Sequence, residues 1–106
     1  MARALINVPK TAKRGAVIEI KTLISHVMET GYRHSTTGEA IPRDIITSFS
    51  AKHNGEEIFA TTFYPAIAAN PFVTFHTVAT ASGTLAFTWE GDNGFAVTEE
   101  AKIVVE

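Results

Sequence analysis

Cysteine is absent from all 106 residues. That one absence excludes a disulfide, a thiolate metal ligand and a sulfur nucleophile carried by the chain itself. Charge is also scarce: Asp, Glu, Lys and Arg make up 19% of the residues, against about 25% in an average soluble domain. Nine basic and eleven acidic residues are spread along the chain for a net charge of −2, so no face is built for nucleic acid or anionic lipid. Long hydrophobic runs are missing too. The longest are a few residues, such as Ile103 to Val105, where a membrane-spanning helix needs about 20. The segment Met1 to Lys10 carries one early Arg and then Ala4, Leu5 and Ile6 before Asn7 and Pro9. It is too short for the apolar core of an export signal, and nothing in it directs export.

Catalytic motifs are equally sparse. There is no G-x-S-x-G elbow and no glycine-rich phosphate loop, and Ser25, Ser35, Ser48, Ser50 and Ser82 read as ordinary strand and loop residues. The acid pairs Glu56 with Glu57 and Glu99 with Glu100 are sequence neighbours. In a strand their side chains point to opposite faces, so they cannot form a dyad.

What is present is a run of β-branched and aromatic segments punctuated by Gly, Asn, Asp and Pro, with no sustained helical period. Strands are expected over Ala4 to Val8, Ala16 to about Ile24, Ile45 to His53, Glu56 to Phe63, Phe72 to Val78, Gly83 to Glu90 and Phe95 to Val105. In the second, Ile18, Ile20 and Ile24 share a face and Glu19 and Lys21 take the other. Asn54 and Gly55 form the pair favoured in a type I′ hairpin turn, where both residues need positive φ. Leu85, Phe87 and Trp89 alternate with Thr84, Ala86 and Thr88, which assigns the first three to the core. Asp92, Asn93 and Gly94 make another tight turn; the run lacks the further ligand spacing of a calcium loop.

Two connections, Ser25 to Arg43 and Tyr64 to Pro71, suit links that cross between sheets. About seven strands in a single domain of this length, residues 1–106, is the pattern of an all-β, immunoglobulin-like or fibronectin-like antiparallel β-sandwich. An up-and-down barrel is the alternative.

Four histidines, His26, His34, His53 and His76, invite a metal reading. His26 and His34 flank Glu29 in the first long connection, but the spacing matches no regular geometry, and a solvated loop histidine is the simpler assignment. His53 adjoins the Asn-Gly turn and reads as exposed; His76 shares the phase of Phe72 and Thr74, on an outer face or at a sheet edge. Sandwich domains that bind iron through several histidines and one cysteine are excluded by the missing Cys. No metal site and no cofactor is therefore assigned. The apolar set Phe49, Phe59, Phe63, Tyr64, Ile67, Phe72 and Phe75 exceeds what alternation can bury on one face. The remainder forms either a larger core or an exposed partner surface.

The stretch Ser25-His26-Val27-Met28-Glu29-Thr30-Gly31-Tyr32-Arg33 resembles the H-x-M-E-T-G-x-R segment of the SoxZ family. Ala40-Ile41-Pro42-Arg43-Asp44-Ile45-Ile46, His53-Asn54-Gly55 and Ala69-Asn70-Pro71-Phe72 are similar to the family's I-P-x-x-x-I segment, N-G hairpin and N-P-aromatic turn. All four fall in the family's order and spacing. The resemblance implies a non-catalytic half of the SoxYZ sulfur carrier of thiosulfate oxidation. Its partner would be a SoxY-like subunit whose C-terminal Gly-Gly-Cys-Gly-Gly arm carries the sulfur, with transient contacts to other Sox enzymes. It also implies a periplasmic location reached together with that partner, without a signal of its own. On this reading Met28, Glu29, Arg33, Asn70, Phe72 and Phe75 contribute to the partner interface. An exposed apolar patch also permits self-association when the partner is missing. A stand-alone sandwich binding module and a histidine-based metal or redox protein are the rival readings.

Overall fold

The computed structural model describes residues 4–65, 67 and 69–106. Met1, Ala2, Arg3, Ala66 and Ala68 lie outside the described residues, and with them the start of the segment read for an export signal and two positions of the Tyr64 to Pro71 connection. Among the described residues eight strands follow one another: β1 (Ala4–Asn7), β2 (Thr11–Ala12), β3 (Val17–Ile24), β4 (Ile46–His53), β5 (Glu56–Thr62), β6 (Phe72–Val78), β7 (Gly83–Gly91) and β8 (Ala96–Val105). They form a three-stranded sheet in the order β1-β3-β6 and a five-stranded sheet in the order β2-β8-β7-β4-β5. The two pack as the sandwich that the strand spacing predicts. Seven strands are expected from the sequence; the eighth is β2, two residues that run parallel to the end of β8, Thr11 beside Val104 and Ala12 beside Val105. So short a strand has no alternation of its own to betray it.

Alternation dictates the core. On β3, Ile18, Ile20 and Ile24 point inward, and Thr22 joins them in the same phase with its hydroxyl donating to the Val73 carbonyl at 3.2 Å. That bond removes the cost of an unpaired buried hydroxyl. Leu85, Phe87 and Trp89 of β7 are fully buried, as their spacing requires. Phe49 of β4 sits at the centre, with Trp89 5.1 Å, Phe87 6.3 Å and Phe75 6.3 Å away between ring centroids. Each such side chain contributes about 1.5–3 kcal/mol by leaving water.

The β4–β5 hairpin turns at Asn54 and Gly55 with φ of 51° and 87°, the positive pair a type I′ turn needs. The turn after β7 is a single 3₁₀ turn over Asp92–Gly94, with Asn93 at φ 60°. Both long connections cross between the sheets: residues 25–45 join β3 to β4, and residues 63–71 join β5 to β6. The molecule is elongated, 59 Å by 20 Å by 19 Å.

Candidate functional site

The connection after β3 is a structured excursion. Its two limbs pair antiparallel, Glu29 with Asp44 through two backbone bonds of 2.8 Å and His34 with Ala40 further out. At the tip the Ser35 N–H donates to the Glu39 carbonyl and the Gly38 N–H to the Ser35 carbonyl. Gly31, at φ 87°, lies where an added Cβ would come 3.0 Å from the Arg43 Cβ, so a side chain there would push the limbs apart. Glu29 and Arg33 form an ion pair at 2.6 Å, which holds the Glu29 carboxyl below the usual carboxylate range through the hydrogen bond from the guanidinium.

Two anchors seat this excursion on the sandwich. The first is Asp92. Its carboxylate accepts from Arg43 Nε at 2.8 Å and Nη2 at 2.9 Å, and from the Ile45 N–H at 3.1 Å. The Asp92 N–H in turn donates to the Ile45 carbonyl at 2.9 Å. The bidentate Arg43 contact, and after it the Ile45 N–H, lower the Asp92 pKa. Gly91 allows the approach, because a Cβ there would collide with the Ile45 carbonyl oxygen. The second anchor is Asn70. Its Oδ1 accepts from the His26 N–H at 2.9 Å, and its own N–H donates to the His26 carbonyl at 2.8 Å. Asn70 adopts φ 53°, a left-handed conformation that Asn tolerates better than most side chains.

His26 is not the solvated loop histidine expected from the sequence. Its side chain is only 6% exposed, packs edge-on against Phe95 at 4.8 Å, and accepts the Met28 N–H on Nδ1 at 2.9 Å. With Nδ1 used as acceptor, the proton of the neutral ring belongs on Nε2, which faces Asp44 at 3.8 Å. The residues around it supplied turn chemistry but no local sign of this burial. His53 is likewise half-buried, with Nε2 out of solvent contact. His76 does lie on the outer face of β6, an edge strand, 3.4 Å from Glu19. Among the described residues no three of His, Cys, Asp and Glu converge on a point that could hold a metal ion.

The six positions assigned to an interface separate into two groups. Met28, at φ 51°, is 4% exposed, its sulfur accepting the Ile46 N–H at 3.3 Å, and Phe75 is 5% exposed in the core. Neither offers a side chain to a partner in this structure; they support the surface from beneath. Glu29, Arg33, Asn70 and Phe72 reach the surface to differing degrees. Phe72, 60% exposed, ends a cross-strand row of apolar side chains, Leu5 beside Leu23 beside Phe72, on the outer face of the three-stranded sheet. Val27, Tyr32, Tyr64 and Ile67 are further exposed large apolar side chains, all in the two connections that cross between the sheets. Of the seven apolar residues in that set, Phe49, Phe63 and Phe75 are buried, Phe59 is half-buried against the core, and Tyr64, Ile67 and Phe72 are exposed.

A family of sulfur-oxidation proteins, described as sulphur oxidation protein SoxZ, matches residues 6–102. The chain belongs to the SoxZ family. It is therefore a protein of Sox sulfur oxidation, and the matched span takes in the excursion, the hairpin turn and the Asn70 anchor described above. No curated protein matches the sequence closely enough to serve as a relative. Among solved structures the chain is similar to a superoxide reductase (neelaredoxin) from Ignicoccus hospitalis, 19% identical over 97% of this chain and 80% of that one, with a TM-score of 0.72. It is also similar to the sulfur carrier protein SoxY from Chlorobium limicola f thiosulfatophilum, 14% identical over 97% of this chain and 78% of that one, with a TM-score of 0.67. At these identities the likeness is one of fold.

Proposed function

We propose that this SoxZ-family chain is the non-catalytic subunit of a sulfur carrier, the rigid base beside a SoxY-like subunit whose cysteine-bearing arm holds the sulfur. The observation that carries the reading is the apolar row Leu5–Leu23–Phe72, with Leu5 and Phe72 exposed and Leu23 half-buried between them, on a chain that has no cysteine of its own. A solvent-facing apolar row beside a tied-down loop end has the character of a surface that a stable partner covers. Leu5, Leu23 and Phe72 would form its dry centre, and Val27, Glu29, Arg33 and Asn70 its more polar margin. The Glu29–Arg33 pair is already satisfied within the chain, so covering it leaves no lone charge behind. The arm would then be offered in turn to other Sox enzymes while the base stays fixed. The reading places the complex in the periplasm, with this subunit exported alongside its partner.

Coexpression with the SoxY-like subunit tests the assignment. The wild-type chain is expected to copurify at equal stoichiometry, and Phe72→Asp to lose most of that capture while keeping its own melting transition. Undiminished capture by Phe72→Asp would remove the row from the interface, and failure of the wild-type chain to copurify would remove the partner.

A further inference from the structure

The free edge of β6 is unguarded. Sheet edges in monomeric proteins are usually kept short, charged, bulged or broken by proline. β1 has four residues and β2 two, and β5 opens with Glu56 and Glu57. β6, Phe-Val-Thr-Phe-His-Thr-Val, has seven regular residues with no proline, lysine or carboxylate, and its pairing with β3 runs without a register shift.

Which of its backbone groups face outward follows from the ends of the strand. The Pro71 carbonyl accepts from Ile24, and the Ala79 N–H donates to the Ala16 carbonyl. Residues 71 and 79 therefore turn their polar groups toward β3, and alternation assigns Val73, Phe75 and Thr77 to the same side. The N–H and C=O groups of Phe72, Thr74, His76 and Val78 point to the open edge.

We infer that this edge pairs with the β6 edge of a second copy of the chain, antiparallel about a two-fold axis through Phe75, to make one continuous six-stranded sheet. In that register Phe72 lies opposite Val78 of the second copy and Thr74 opposite His76, and each such pair exchanges two backbone bonds. On the outer face the apolar row continues across the join: Leu5, Leu23 and Phe72, then Val78 and Val17 of the second copy, since Val78 and Val17 are themselves paired. The polar row runs Asn7, Lys21 and Thr74, then His76 and Glu19 of the second copy, with opposite charges at its two halves. At the axis the two Phe75 backbones lie opposite one another, and each Phe75 ring stays buried in its own core, stacked on Phe59 at 4.5 Å. Shifting the register by two residues one way sets Phe72 opposite His76. Shifting it the other way brings the two His76 rings together. Only the central register pairs apolar with apolar and keeps the imidazoles apart. The inference concerns the chain without a partner and is independent of its role in sulfur oxidation.

The test uses the full chain purified alone. Sedimentation velocity over a concentration series is expected to show a monomer–dimer equilibrium. Thr74→Pro removes an outward N–H that β3 does not use and sets a ring into the join; it is expected to stay monomeric at concentrations where the wild type dimerises, with an unchanged circular dichroism spectrum. Because the chain has no cysteine, the register is read directly by mixing the single variants Thr74→Cys and His76→Cys under mild oxidation. Disulfides between the two variants are expected to exceed those within either. A wild type that stays monomeric throughout, a Thr74→Pro dimer, or crosslinks forming equally in all combinations would overturn the proposal. So would protection of the edge only after a SoxY-like subunit is added.

Discussion

The loop end of the sandwich and the β6 edge meet at Phe72, yet they are held in opposite ways. At the loop end the groups that anchor the connection have partners within the chain: Asp92 takes Arg43 and Ile45, Asn70 takes His26, Glu29 takes Arg33, and the Met28 sulfur takes the Ile46 N–H. Along β6 the outward backbone groups have no hydrogen-bond partner among the described residues. Local satisfaction makes a surface with a fixed shape, which a partner can recognise without ordering it first. Open backbone groups make a surface whose preferred occupant is another strand.

Substitutions can break this contrast if it is misdrawn. The largest effect is expected at Met28, whose side chain is buried and whose sulfur holds a backbone N–H: Met28→Ala should cost about 2–5 kcal/mol in urea denaturation. Asn70→Ala removes an acceptor and places alanine at positive φ, and should cost about 1–2 kcal/mol by the same measurement. A smaller, pH-dependent effect belongs to Asp92. Its pKa is lowered in the folded state, so its contribution is complete above the ordinary aspartate value near 4 and is lost as pH falls through the lower folded value. Stability measured on acidification should decline less steeply in Asp92→Asn than in the wild type. Thr74→Pro removes no bond to β3 but fixes φ in an extended strand, and should cost no more than about 1 kcal/mol while abolishing self-association. A large loss of stability at position 74, or none at Met28, would reverse the comparison.

Much of the scaffold was legible because its signals are local. The Asn54-Gly55 turn, the inward set of β7 and the inward isoleucines of β3 are all read from neighbours in sequence. Phe75 shows a local signal passed over: it stands three residues from Phe72, so strand alternation alone puts the two on opposite faces, and only one can meet a partner. Met28 differs, because its burial depends on a left-handed backbone that no pattern announces. The Asp92 clamp was also hidden. Asp92 reads as a turn residue, and its bonds to Arg43 span 49 residues. His26 was misread for the same reason, since Phe95 and Asn70 cover it from elsewhere in the chain.

Hydrogen–deuterium exchange of the chain with and without a SoxY-like subunit tests the central claim most directly, since it reports where a partner sits. The account predicts slower exchange on complex formation in Ala4–Asn7 and in residues 25–33, with the β4–β5 hairpin turn unchanged. A complex that protects the hairpin turn and leaves both of those segments exchanging as before would contradict it.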